Sequence, residues 1–232
     1  MDLAPMRVVA RIRSDFPAKF GIPRQSGLVE ELRARVVFEP EYRSPDALRG
    51  LEGFTHIWLI WQFSENLREG WSPTVRPPRL GGNERMGVFA TRSPFRPNPI
   101  GLSCVRLLGI EADPELGRVL EVAGADLMDG TPILDVKPYI PYADAHPEAS
   151  GGFTGNTGGA VLEVNLPPEL LARVPADKRA ALTGVLARDP RPPYQHDPDR
   201  VYGLAFAGLE VRFTVAGETL TVTAVEPAET KA

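Results

Sequence analysis

From Arg7 to Pro138 the apolar residues come in short runs closed by glycine, proline or another turn former, and no stretch sustains the 3.6-residue period of a long helix. Seven strands are predicted, at 7–12, 28–38 (with a break near Leu32), 55–63, 86–90, 102–110, 119–125 and 133–138. The one convincing helix among them is short, with Ser44 as N-cap and Pro45 at its first helical position. A parallel sheet needs helices over both faces, and this stretch has none to spare. Closing the sheet manages its edges best, so the pattern predicts a mainly β fold built on a closed or nearly closed antiparallel β-barrel.

The segment FTHIWLIWQF sharpens that expectation. Alternation puts Thr55, Ile57, Leu59, Trp61 and Phe63 on one apolar face, for the barrel core. Phe54, His56, Trp58, Ile60 and Gln62 fall on the other, which is apolar enough to meet a second subunit or a ligand. On this reading His56 is a satisfied core histidine rather than a catalytic one, and Cys104 a small buried hydrophobe. After Pro141 the texture changes to YADAHPEASGGFTGNTGGA, rich in small and polar residues. The expected organisation is a barrel over 1–145, a linker over 146–160 and a small α+β unit over 161–232. That unit should hold strands at 161–166, 201–206, 210–215 and 219–225, a helix at 177–188, and a hairpin turn at Ala216-Gly217-Glu218.

Composition removes several function classes. A 232-residue chain with 43% hydrophobic residues builds a real core. Its longest apolar stretch, Ile57–Trp61, is far too short to cross a bilayer, and its start lacks the hydrophobic centre of a signal peptide, so a cytoplasmic protein off the membrane is expected. One cysteine and three scattered histidines argue against a metal site. The net charge of −4 argues against general polyanion coating. Its distribution says more: between Trp71 and Arg106 there are six arginines, at 76, 79, 85, 92, 96 and 106, against the single acid Glu84. Within that run, GVFATRSPFRPNPIG frames Arg92 and Arg96 with prolines that restrict the backbone. Guanidinium groups on so stiff a support suit an anion or a flat ring, a phosphate or RNA contact.

The ordered succession FGIPRQSGL, GLEGFTHIWL, WSPTVRPPRLGGNERMGVFATRSPFRPNPIGLS, DLMDGTPILDVKPYIPY and DPRPPY closely resembles the TrmO family, also called TsaA-like. The resemblance covers nearly all of residues 5–145 and returns at DPRPPY in the tail. It implies an S-adenosylmethionine-dependent methyltransferase that acts on N6 of N6-threonylcarbamoyladenosine at position 37 of the tRNA anticodon loop. It implies also a single-sheeted antiparallel β-barrel catalytic domain, a homodimer and a small C-terminal domain that assists tRNA binding. No G-x-G-x-x-G lies between a strand and a helix, so a Rossmann-type cofactor site has no support.

By the same resemblance the cofactor pocket uses Pro23, Arg24 and Gln25, Arg92, Leu102, and the turn Asp126, Leu127, Met128, Asp129, Gly130 and Thr131. Ser64 and Glu65 join them with one departure: the family carries a histidine just after the strand holding Trp61, and a backbone contact would survive that change. An arginine can clamp the cofactor's carboxylate, and an aspartate can accept from ribose hydroxyls or face the sulfonium. Asp129 is the candidate acceptor for the proton that the amine loses. Read without the family, Asp129-Gly130 is a tight turn that Asp126 closes. For tRNA the candidates are Arg76, Arg79, Arg85, Arg96, Arg191, Tyr194 and Arg200; Tyr194 could stack on an unpaired base or only pack on prolines. A barrel that binds cofactor or RNA without turnover, and a methyltransferase with another acceptor, are the competing readings.

Overall fold

The computed structural model describes residues 5–66, 70–77, 80, 84–154, 161–192, 194–195 and 197–228. In chain order its strands and helices are β1 (Ala10–Arg13), β2 (Arg33–Phe38), β3 (His56–Gln62), β4 (Thr74–Val75), β5 (Met86–Gly87), β6 (Ile100–Asp113), β7 (Gly117–Ala123), β8 (Pro132–Pro138), α1 (Pro141–Asp144), β9 (Glu163–Asn165), α2 (Pro168–Leu171), α3 (Arg179–Ala187), β10 (Tyr202–Phe206), β11 (Leu209–Ala216) and β12 (Thr219–Pro227).

Six strands close a ring in the order β1-β2-β7-β6-β3-β8, with β8 returning to β1 and every pairing antiparallel. The alternation in β3 holds: Ile57, Leu59 and Trp61 point into the barrel and are buried beside Ile12, Val36, Val105, Leu120 and Ile133. The β6–β7 hairpin turns on Asp113, whose Oδ1 accepts from the backbone N–H of both Glu115 and Leu116.

Four details of the sequence reading change. The strand expected at 28–38 begins only at Arg33. The one expected at 86–90 is the two-residue β5, which pairs with β4 outside the barrel before a 3-10 turn at Val88–Ala90. Pro45 does start a helical segment, but that segment is a single 3-10 turn ending at Leu48, and Ser44 makes no side-chain capping bond. His56 and Cys104 both sit on the outer side of the β3–β6 ladder, His56 exposed and Cys104 half-buried. Alternation had already put His56 on the face away from Ile57, and that face is only partly covered.

Beyond the barrel, a four-stranded sheet ordered β10-β11-β12-β9 packs against α3. Leu182, Val185 and Leu186 of the helix meet Val211, Phe213, Leu220 and Val222 of the sheet. This second core also takes in Phe16, Val29 and Leu32 from the long excursion between β1 and β2. Phe16 meets Phe206 edge to face at 5.3 Å, and Asp15 pairs with Lys178 at 2.7 Å. Packing therefore ties residues 14–32, which carry Pro23-Arg24-Gln25, to the C-terminal sheet as well as to the barrel.

Candidate active site

At one rim of the barrel lies a cavity of about 710 Å³, within the range of pockets that bury small organic ligands. Four separate pieces of chain enclose it. The β1–β2 excursion brings Pro23, Arg24 and Gln25; the end of β3 and the residues after it bring Trp61 through Glu65; the proline-framed loop brings Arg92 and Arg96; and the turn before β8 brings Asp126, Leu127, Met128 and Thr131. Leu102, from the start of β6, completes the wall.

The proline-framed loop is held by its own polar groups. Thr91 Oγ1 donates to the Val88 carbonyl and accepts from Ser93 N–H, while Arg96 donates to the Thr91 carbonyl at 3.0 Å. Arg96 thus braces the loop as well as lining the cavity. Arg92 reaches across to donate to Gln25 Oε1, joining two walls through the side chains that the sequence singled out. Lys19 donates to the Glu65 backbone carbonyl at 3.0 Å, so the segment after β3 is anchored through its main chain.

Asp126 is partly buried and presents a carboxylate to the cavity. Its Oδ1 accepts from Ser103 Oγ at 2.6 Å. Desolvation raises its pKa above the ordinary aspartate value, although the Ser103 hydroxyl, backbone N–H groups and Arg92 each pull the other way.

The turn sorts its two aspartates to opposite sides. Asp129 does not line the cavity: its Oδ1 accepts from Ser14 N–H at 3.1 Å, its own N–H donates to the Phe16 carbonyl at 2.8 Å, and Arg13 stands 3.8 Å from Oδ2. Gly130, with φ +77°, likewise turns away, its N–H donated to the Ile12 carbonyl. The carboxylate expected to accept the proton is thus engaged in holding the turn against the end of β1, while Asp126 lines the cavity.

Of the other arginines, Arg76 and Arg85 are exposed beside the β4–β5 pair, and Arg79 lies outside the described residues. Arg200 is exposed, 5.4 Å over the Tyr202 ring, and Tyr194 is exposed nearby in sequence. Arg191 stands apart: it is only 9% exposed and donates twice to Asp189, at 2.8 and 2.9 Å, which makes it a structural tie rather than a surface cation. Sequence reasoning missed Ser103 as part of the site. Its signal was present, because a serine at an inward position of an otherwise apolar strand face needs a polar partner.

Fold and cavity together define a rim-site β-barrel protein whose pocket combines guanidinium groups with one desolvated carboxylate, the requirements of a ligand carrying both signs of charge. Residues 11–145 match the family described as the tRNA-methyltransferase O N-terminal domain, and residues 160–228 match the TrmO C-terminal domain. A tRNA (adenine(37)-N6)-methyltransferase of Escherichia coli is 41% identical over 224 residues, covering 93% of this chain and 95% of that protein. One from Eikenella corrodens is 50% identical over 163 residues, covering 70% and 91%. The crystal structure of TrmO from Pseudomonas aeruginosa superposes with a TM-score of 0.78 at 33% identity, covering 97% of this chain and 98% of that one. The chain belongs to the TrmO family.

Proposed function

We infer that this protein is a tRNA (adenine(37)-N6)-methyltransferase dependent on S-adenosylmethionine, and that its acceptor is N6 of N6-threonylcarbamoyladenosine in the anticodon loop. The observation that carries the reading is the pairing of both family matches with a single cavity that gathers Arg24, Gln25, Arg92 and Asp126 from separate parts of the chain. The residues fit the cofactor: guanidinium groups suit its carboxylate, and the desolvated Asp126 suits its positive centre.

When bound, S-adenosylmethionine supplies an already activated methyl group. What remains for the protein is to orient and to exclude water. Arg24 and Arg92 would hold the carboxylate end, with Gln25 fixing the Arg92 guanidinium. Leu102, Leu127 and Met128 offer apolar contact, Thr131 braces the turn through its bond to the Met128 carbonyl, and Ser64 and Glu65 offer backbone groups. Of the turn's other two residues, Asp129 and Gly130 would shape the pocket from behind. Arg76, Arg79, Arg85 and Arg96 would meet phosphates of the anticodon arm, and Tyr194 and Arg200 of the C-terminal unit would extend that surface. The barrel over 1–145 would be the catalytic domain, the 161–232 unit the tRNA-assisting one, and a second copy of the chain would complete the cradle as a homodimer.

Purified protein given methyl-labelled cofactor and tRNA with or without the threonylcarbamoyl group tests this directly. Label on N6 of the modified tRNA alone is the expected result. Label on unmodified tRNA would refute the acceptor, and no label on either would refute the activity.

A further inference from the structure

Behind Asp126 stands a hydrogen-bonded chain whose direction can be read. Trp61 Nε1 lies 3.0 Å from Ser103 Oγ, and Ser103 Oγ lies 2.6 Å from Asp126 Oδ1. An indole nitrogen only donates, so the serine oxygen accepts from it and turns its own hydrogen to Asp126. Ser103 is 1% exposed, so no bulk water competes for that hydroxyl. Oδ1 is therefore held as an acceptor, while backbone N–H groups of Ser26 and of Asp126 itself also bear on the carboxylate.

We propose that Asp126 is the proton acceptor for the methylated nitrogen, and that Trp61 and Ser103 are positioning residues that keep Oδ1 occupied and leave Oδ2 to receive the proton. The proposal rests on the functional reading above and deepens it. In the step, the N6 electron pair bonds to the methyl carbon, the carbon–sulfur bond breaks with its pair left on sulfur, and the N–H proton passes to Oδ2. Sulfonium and carboxylate charges are both discharged, and the proton later leaves to solvent. An acceptor serves best when its pKa is near the working pH, and desolvation moves Asp126 that way. Arg92 opposes the rise, and among the described residues Lys19, Arg24, Arg96 and Glu65 are the other charged groups of the cavity wall. Asp129, the other carboxylate of the turn, is absent from the wall.

Two substitutions test it. Asp126→Asn, which keeps the size and an Oδ1 acceptor for Ser103, is expected to slow single-turnover methylation at saturating cofactor and tRNA by about a hundredfold or more, with adenosylhomocysteine still bound in calorimetry. A full rate, or an unchanged rate accompanied by lost adenosylhomocysteine binding, would overturn the assignment and make Asp126 at most a cofactor ligand. Ser103→Ala removes a donor to the ionised carboxylate, so the Asp126 pKa should rise and the acid limb of the rate profile should move to higher pH. Titration of the Asp126 carboxyl by carbon NMR in the cofactor-free protein, assigned against Asp126→Asn, reads the same shift without any turnover. An unmoved carboxyl would refute the chain from Trp61 through Ser103. Failure of wild-type protein to methylate any tRNA would instead strike the functional reading, and the two failures are separable.

Discussion

Adding one methyl group at Gly101 tests the floor of the cavity. Gly101 pairs with Trp61 across the β3–β6 ladder and is buried. An ideal Cβ there would lie 2.6 Å from Trp61 Cδ2 and collide with Cε2 and Cζ2. Carbon atoms pack at about 3.5–4.0 Å, so the ring would have to retreat by more than about 1 Å. The ring is buried, with its centroid 4.3 Å from that of Phe63. Overpacking of this kind costs ~1–3 kcal/mol. Pulling the indole N–H off Ser103 adds ~1–3 kcal/mol for an unsatisfied buried donor. Gly101→Ala should therefore lose about 2–6 kcal/mol in urea unfolding and weaken adenosylhomocysteine binding, because Trp61 lines the same cavity. Gly109 supplies the control: it lies on the same strand, and a Cβ there meets nothing within 4 Å. Gly109→Ala should stay within about 0.5 kcal/mol of wild type. Equal unfolding of the two variants would show that Trp61 is not packed tightly against Gly101 and not fixed on Ser103.

Asp129→Asn should retain the wild-type single-turnover rate, since that side chain holds the turn and does not line the cavity; a large loss of rate with unchanged thermal stability would reverse that placement. Arg191→Ala should cost about 1.5–3 kcal/mol of stability through the lost charged hydrogen bonds to Asp189, measured by urea unfolding, and should leave the salt dependence of tRNA binding unchanged. Removing Arg76 and Arg85 together should weaken tRNA binding and flatten the plot of log affinity against log salt by about one unit per arginine; an unchanged slope in filter binding would remove these two from the RNA surface.

The barrel was legible because its signal is local and repeated. Alternation in β3 and the apolar faces of β6, β7 and β8 each demand a covered side, and ring closure satisfies all of them. Misreadings clustered where the chain is irregular. The strand expected at 86–90 carries apolar residues, yet only Met86 and Gly87 find a partner strand, and Val88 is buried in a turn instead. The hydroxyl of Ser44 was expected to cap a helix that proves too short to need it.

Most of the cavity wall was also readable, through resemblance rather than through any spacing rule, since Pro23, Arg92 and Asp126 lie on loops that share no period. By itself the sequence dictated the sheet, its inward face and the stiffness of the arginine loop, all of which follow from backbone restriction and burial acting between near neighbours. Which aspartate of the Asp126–Asp129 turn faces the ligand was decided only in three dimensions. The choice belongs to Ser14 and Phe16, which claim Asp129, and to Ser103, which claims Asp126. Ser14 and Asp129 are 115 residues apart, and a loop carboxylate points wherever such distant donors are brought by the closing of the barrel.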